Sequence, residues 1–319
     1  MKNISFGYIN HTHWIRFVST YLLLLITYTI ATPYAGDFED FGASAKALGL
    51  GNAYTAVASD ASAIYYNPAG SNLLNRSQIL FLHSENYTGG IVQNNFISYV
   101  YLTKPQSYGV ALLTNRIPDI KITKLPYPDL PPSDTNRPYI DRIVNASDWI
   151  VYFNYAHNIV TNLNLGFNFK LIYRSLGIGS AFGTGLDFGA IYQMPVDLMV
   201  ATKISNLTTS PLFWSNKTRE VIMPKLFVGL AKQIKLNNAS LLLSSDLENN
   251  FDQNELYANF GAEYHYKNAF SLRAGLFRYN PCFGVGLNYK RFFLDYAFVS
   301  SSFQAELGSS HKMSGGILL

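Results

Sequence analysis

The chain has 319 residues, 14% of them charged and 15% aromatic, with 23 tyrosines and a net charge of +4. So few charges, against roughly 25% in an average soluble domain, make a poor water-facing surface, and the scattered Lys and Arg residues exclude a stripe for nucleic acid. Cys282 stands alone, which excludes an intrachain disulfide, and beyond the first residues no segment approaches the ~20 uninterrupted apolar residues of a membrane helix.

At the N-terminus, Lys2 and Arg16 precede residues 17–31, an apolar run of signal-peptide length ending in Thr29-Ile30-Ala31. Residues 1–31 are therefore expected to be a signal peptide cleaved after Ala31, and the rest of the chain to be exported.

Residues 32–77 carry no alternation long enough to cross a bilayer. Gly42, Ala43, Ala45, Ala47, Gly49, Gly51, Ala53 and Ala56 leave little bulk, which suits close packing against other backbone. Asp60 or Ser59 is placed to cap a short helix over residues 61–66, because a side-chain oxygen there accepts orphan backbone N–H groups. Pro68 stops that helix. Asn67, followed by Pro68 at a first helical position, starts a further turn through residues 69–74.

From Gln78 onward the dominant period is two. In residues 163–173, Leu163, Leu165, Phe167, Phe169, Leu171 and Tyr173 share one face, and Asn164, Gly166, Asn168 and Lys170 share the other. The pattern recurs at 256–266, 283–289 and 292–298. About fourteen such segments are predicted, centred near residues 81, 99, 110, 152, 168, 188, 201, 229, 242, 261, 274, 286, 296 and 315.

Alternation also describes a soluble sandwich, so the connections must decide. They alternate between long (85–94, 115–147, 175–183, 207–224, 248–255, 300–310) and short (104–106, 158–162, 194–196, 234–237, 267–269, 290–291). A transmembrane barrel with turns at one rim and loops at the other requires this parity. The tight link at Tyr279-Asn280-Pro281 falls where a long loop is expected, which leaves a trimmed loop or a miscounted strand. The final alternation, from His311 to Leu319, suits a last strand that pairs with the first, and closure gives every backbone polar group a partner in hydrocarbon. Many of the tyrosines are expected in girdles at the headgroup boundary. The expected fold is all-β: a transmembrane antiparallel β-barrel of about 14 strands over residues 78–319.

The run GASAKALGLGNAYTAVASDASAIYYNPAG, residues 42–70, between an export signal and a barrel, resembles a known outer-membrane family. That family includes the FadL-type long-chain fatty acid transporters and, more closely similar, the PorV/PorQ-type proteins associated with type IX secretion. The resemblance is dense over residues 42–70 and architectural beyond them. It implies that residues 32–77 form a helical hatch, or plug, inside the barrel. On the matching positions Asn67, Pro68 and Ala69 would sit in that hatch beside Asp60 and Gly70, with Tyr65 and Tyr66 against the lumen wall. It also implies the outer membrane of a diderm bacterium, with lipid and the barrel-assembly machinery as partners.

Alternation turns Lys170, Arg174, Asp187, Glu263, His265, Arg273, Lys290 and Asp295 inward. They are expected as a charge ladder that steadies the hatch, or else as a polar constriction for a ligand or cargo. Glu263 and His265 share a face but fall short of the ligand number of a zinc site, so no metal and no cofactor is expected. His157 and His265 lack a serine at suitable spacing, and no nucleophile elbow or phosphate-binding glycine pattern occurs, so no enzyme is expected. Two functions remain open. One is transport of a hydrophobic small molecule through an apolar pocket near Tyr65 and Tyr66. The other is capture of exported protein cargo by outer loops, the Pro-rich residues 115–148 foremost.

Overall fold

The computed structural model describes residues 36–87, 89–300 and 308–319; the expected signal peptide, residues 1–31, lies outside them. In chain order the strands are β1 (Gln78–Asn86), β2 (Val92–Thr103), β3 (Gln106–Lys124), β4 (Tyr139–Val160), β5 (Leu163–Ser175), β6 (Ser180–Met194) and β7 (Leu198–Ser205). They continue with β8 (Ser210–Trp214), β9 (Arg219–Ile222), β10 (Lys225–Lys235), β11 (Ala239–Asn250), β12 (Glu255–Tyr266), β13 (Phe270–Phe277), β14 (Asn280–Tyr289), β15 (Phe292–Val299) and β16 (Ser310–Leu318). Strands β8 and β9 form a side hairpin that pairs with β6. The other fourteen pair antiparallel with their neighbours, β7 with β10 and β16 with β1, and so close a barrel. Every expected strand centre falls inside one of these fourteen.

Three connections differ from expectation. Residues 115–147 are not a plain loop, because β3 and β4 run on as a two-stranded ribbon, and Pro118 is accommodated at a register shift between Ile117 and Ile120. Residues 207–224 contain the β8–β9 hairpin. The link between β13 and β14 is a two-residue turn, Arg278 and Tyr279, both at positive φ (46° and 72°). The strand count is intact there, and the loop itself is cut short.

Alternation sorts the side chains as the sequence demands. Phe81, Ile97, Phe153, Phe167, Phe283 and Leu294 stand outward and exposed, with Phe283 at 56%. Such a continuous exposed apolar wall has no stable partner but lipid. The inward face is more varied than a simple wet lining. On β1 to β4 it carries Leu80, Leu82, Phe96, Val100, Leu113 and Ile150, all buried, whereas β10 to β16 present Lys225, Asp246, Asn259, Glu263, Arg273, Asp295 and Lys312.

The inward apolar residues are covered by the N-terminal segment, which contains helices α1 (Ala45–Gly49) and α2 (Ala63–Tyr66) and 3-10 turns at Asp37–Glu39 and Pro68–Leu73. Helix α2 starts later than expected, after Ser62, and has no side-chain cap; the expected cap from Asp60 or Ser59 is not made, and Asp60 instead accepts from Ser62 N at 2.9 Å just before the helix. Asn67 caps the following turn as expected, its side chain accepting from Ala69 N at 3.1 Å. The segment bonds to strands around the whole circumference. Asn115 of β3 donates to Phe38 O, Asn168 of β5 donates to Ile64 O, Asp246 of β11 accepts from Tyr54 N, and Ser314 of β16 accepts from Ala45 N. It therefore lies in the lumen, and the core of the protein is the contact between segment and barrel wall.

Candidate functional site

Small residues bring segment and wall together. Gly166 of β5 and Gly189 of β6 are cross-strand partners, and Asn67-Pro68-Ala69 lie directly against them, with backbone at Gly166 and the Asn67 and Pro68 side chains at Gly189. A Cβ on Gly166 would fall 2.3 Å from Ala69 N, and one on Gly189 would fall 2.1 Å from Asn67 Oδ1. Only a residue without a side chain permits this approach. Asn67 Nδ2 also donates to Thr55 O at 3.0 Å and reaches Ala190 O and Thr202 O of the wall at 3.4 and 3.3 Å. This one buried amide thus joins two parts of the segment to β6 and β7.

Three ionic clusters line the lumen, and two of them hold the segment, through Glu39 and Asp40. Lys170 Nζ lies 2.8 Å from Glu39 Oε1 and 3.0 Å from Asp187 Oδ1, and Asn206 donates to Glu39 at 2.8 Å while its backbone N–H donates to Asp187. Asp40 meets Lys225 at 2.5 Å and Arg278 at 3.1 Å, and Arg278 also pairs with Glu248 at 2.5 Å. Arg273 bridges Glu263 at 2.5 Å and Asp295 at 2.6 Å. Charges this deeply buried persist only when paired and hydrogen-bonded. Burial pushes the Asp40 carboxyl up, but Lys225 and Arg278 outweigh it and hold the group below its ordinary value.

The anticipated lumen residues divide accordingly. Lys170 and Asp187 share the first cluster, and Glu263, Arg273 and Asp295 form the third. Arg174 sits nearer the loop rim, paired with Asp148 at 2.8 Å and stacked 4.2 Å from the Phe38 ring. His265 Nδ1 lies 2.7 Å from Ser271 Oγ, apart from the ion pairs. Lys290 is a correction: it occupies the exposed β14–β15 turn at φ 55°, where the chain reverses and strand alternation no longer sets direction.

In the segment, Asp60 is buried and accepts from the Tyr54 hydroxyl at 2.7 Å. Tyr65 meets the wall at Phe96 and Lys203. Tyr66 instead folds back on its own segment, where its hydroxyl accepts from Ala43 N at 3.1 Å and its ring packs on Tyr54. Gly70 abuts Ala58, whose carbonyl would lie 2.1 Å from an added Cβ. Among the described residues, the spaces beside Tyr65 and Tyr66 are not the expected apolar pocket: they are about 30 Å³ each, both bounded by Asp40 and Lys203 and one also by Glu248 and Arg278. Each has room for about one water.

A larger cavity than these lies at the mouth of the barrel, on the side where β1 ends and β16 begins. Its volume is about 560 Å³, and Phe41, Leu48, Phe277 and Val299 give it apolar walls while Arg278 and Lys312 give it charge. Lys312 Nζ donates to Phe41 O and Ser84 Oγ, both at 3.0 Å, and to Asn86 Oδ1. Its acceptors among the described residues are neutral. Glu39, Asp40, Lys203, Lys225, Glu248, Arg278 and Lys312 were not singled out from sequence. The strand members occupy inward parity positions, so alternation carried a signal for them; Glu39 and Asp40 lie where no period applies.

A model of an uncharacterised protein family (UPF0164) matches residues 42–197, and no curated protein sequence matches. Among solved structures, the CymD monoaromatic hydrocarbon channel superposes with a TM-score of 0.56 at 10% identity, covering 87% of this chain and 98% of its own. The Pseudomonas putida toluene transporter TodX gives 0.55 at 11% identity, with 88% and 97% covered. A Pseudomonas aeruginosa FadL homologue gives 0.53 at 10%, with 86% and 98% covered. At such identities the likeness is one of fold, and the fold of this chain is the closed fourteen-stranded barrel of the FadL-like channels.

Proposed function

We propose that the chain is an outer-membrane channel for hydrophobic small molecules, with residues 32–77 as its hatch. The observation that carries this is the mouth cavity of about 560 Å³, whose floor is the segment itself, through Asp40, Phe41 and Leu48. A space of that size with apolar walls and a few polar groups suits a small ligand. The similarity in fold to hydrocarbon channels supports the substrate class, and the export signal read in residues 1–31 supplies the route to the outer membrane, where the barrel-assembly machinery would insert it. Passage requires the hatch to shift, because the segment packs against the wall beneath the cavity and the spaces beside Tyr65 there are small and polar. The test is uptake of a hydrophobic fluorescent probe into vesicles carrying the folded barrel. Deletion of residues 38–70 should raise uptake, and an unchanged rate would refute the channel.

One feature favours a second function, the PorV/PorQ-type shuttle for exported protein cargo. The β3–β4 ribbon exposes Tyr127, Leu130, Tyr139, Ile140 and Ile143, a protruding apolar edge of the kind that polypeptides bind. Excision of residues 117–142 should then abolish recovery of secreted proteins on the immobilised barrel, and undiminished recovery would remove the ribbon from consideration.

A further inference from the structure

The rim formed by the short turns is basic and aromatic. Lys104, Lys235, Lys267, Lys290 and Arg291 are exposed on it, and Asp197 is the only acid in these turns among the described residues. Asp197 is paired with Lys235 at 2.9 Å. Tyrosine rings lie under two of the cations: Lys267 Nζ is 5.2 Å from the Tyr266 centroid, and Lys290 Nζ is 5.3 Å from that of Tyr289. The β3–β4 ribbon at the opposite rim instead matches its charges, Lys124 with Asp141 and Arg137 with Asp134.

The outer wall next to this rim carries a trough of about 660 Å³ across β7 and β10 to β13. Leu230, Leu243, Phe260 and Leu276 stand around it, and the cross-strand partners Ala262 and Ala274 form its base. Strand alternation points all six residues away from the lumen. Lys232, also outward, closes the end nearest the rim and is held there by donating to Val196 O.

An apolar trough on a lipid-facing wall accepts an acyl chain. Cations on long stems beside tyrosine rings sit where phosphates lie, the apolar stem in the chains and the ammonium in the headgroups. The excess of positive charge over acid selects a lipid of net negative charge. We propose that the short-turn rim over β10 to β15 binds an anionic phospholipid, with one acyl chain in the trough and its phosphate against Lys232 and Lys235. The site faces the bilayer and is independent of what passes through the lumen.

The full chain, folded in nanodiscs with equal phosphatidylethanolamine and phosphatidylglycerol, is transferred to detergent, and retained lipids are counted by native mass spectrometry. Phosphatidylglycerol should exceed phosphatidylethanolamine by roughly tenfold, an excess that falls as salt is raised in the unaltered protein. Lys232→Gln/Lys235→Gln/Lys267→Gln should bring the ratio to parity, and Ala262→Phe/Ala274→Leu should remove the most tightly held lipid with the charges intact. Heat-dependent electrophoretic mobility checks that both variants fold. Equal retention of the two lipids by the unaltered protein, or a salt-independent excess, overturns the proposal without recourse to any variant. Preferential binding of an acidic soluble polypeptide over lipid at this rim overturns it as well.

Discussion

Gly166 and Gly189 face each other across β5 and β6, and the space where their side chains would be is taken by the segment, by the Pro68-Ala69 backbone at Gly166 and by the Asn67 and Pro68 side chains at Gly189. The inner sheet surface thereby becomes a dock for a folded segment.

Gly189→Val should displace the segment and leave the barrel closed, since the strand ladder does not depend on the missing side chain. Overpacking of this kind costs about 1–3 kcal/mol. Limited proteolysis of the folded protein should cut within residues 36–77 in the variant and spare them in the parent, with heat-dependent mobility unchanged.

Asn67→Ala removes the cap on Ala69 N and the donor to Thr55 O together. A cap is worth about 1 kcal/mol and a buried unpaired acceptor about 1–3 kcal/mol more. The urea midpoint for segment release should fall, and Asn67→Asp, which keeps the acceptor and loses the donors, should lie between Ala and the parent.

Lys170→Met leaves Glu39 and Asp187 buried without their cation. Loss of one partner from such a cluster costs about 3–5 kcal/mol. Adding Glu39→Gln and Asp187→Asn to Lys170→Met should recover part of the loss in the same urea titration, whereas a purely steric role for Lys170 predicts no recovery.

Asp40 gives the pH dependence. Its folded value is depressed below the ordinary 3.8, so its stabilisation is fully present above that value and is lost as pH falls through the depressed one. Protease resistance of the segment should hold from pH 7 to about pH 4 and decline below it. In Asp40→Asn the resistance at pH 7 should be lower and this part of the acid decline absent.

Much of the barrel was legible because a strand's two faces are set by parity alone: Phe167 and Asn168 point opposite ways whatever surrounds them. The Asn67-Pro68 cap was legible for the same local reason, since the Oδ1 of Asn67 meets Ala69 N within its own turn, whereas the reach of its Nδ2 to Thr55, Ala190 and Thr202 was not. Partnerships were not. Glu39 and Lys170 are far apart in sequence, and no period connects a 3-10 turn to a strand. Lys290 shows the limit from the other side, because parity ends where the chain turns.

By itself the sequence determined the fourteen barrel strands, the inward and outward faces of each and the cap at Asn67-Pro68, all consequences of near-neighbour stereochemistry. Tertiary structure alone decided which inward charges meet, that Tyr66 turns back on its own segment, and that usable space lies at the mouth rather than beside Tyr65. Those outcomes depend on strand register around a closed ring, which brings together residues that chain connectivity leaves independent.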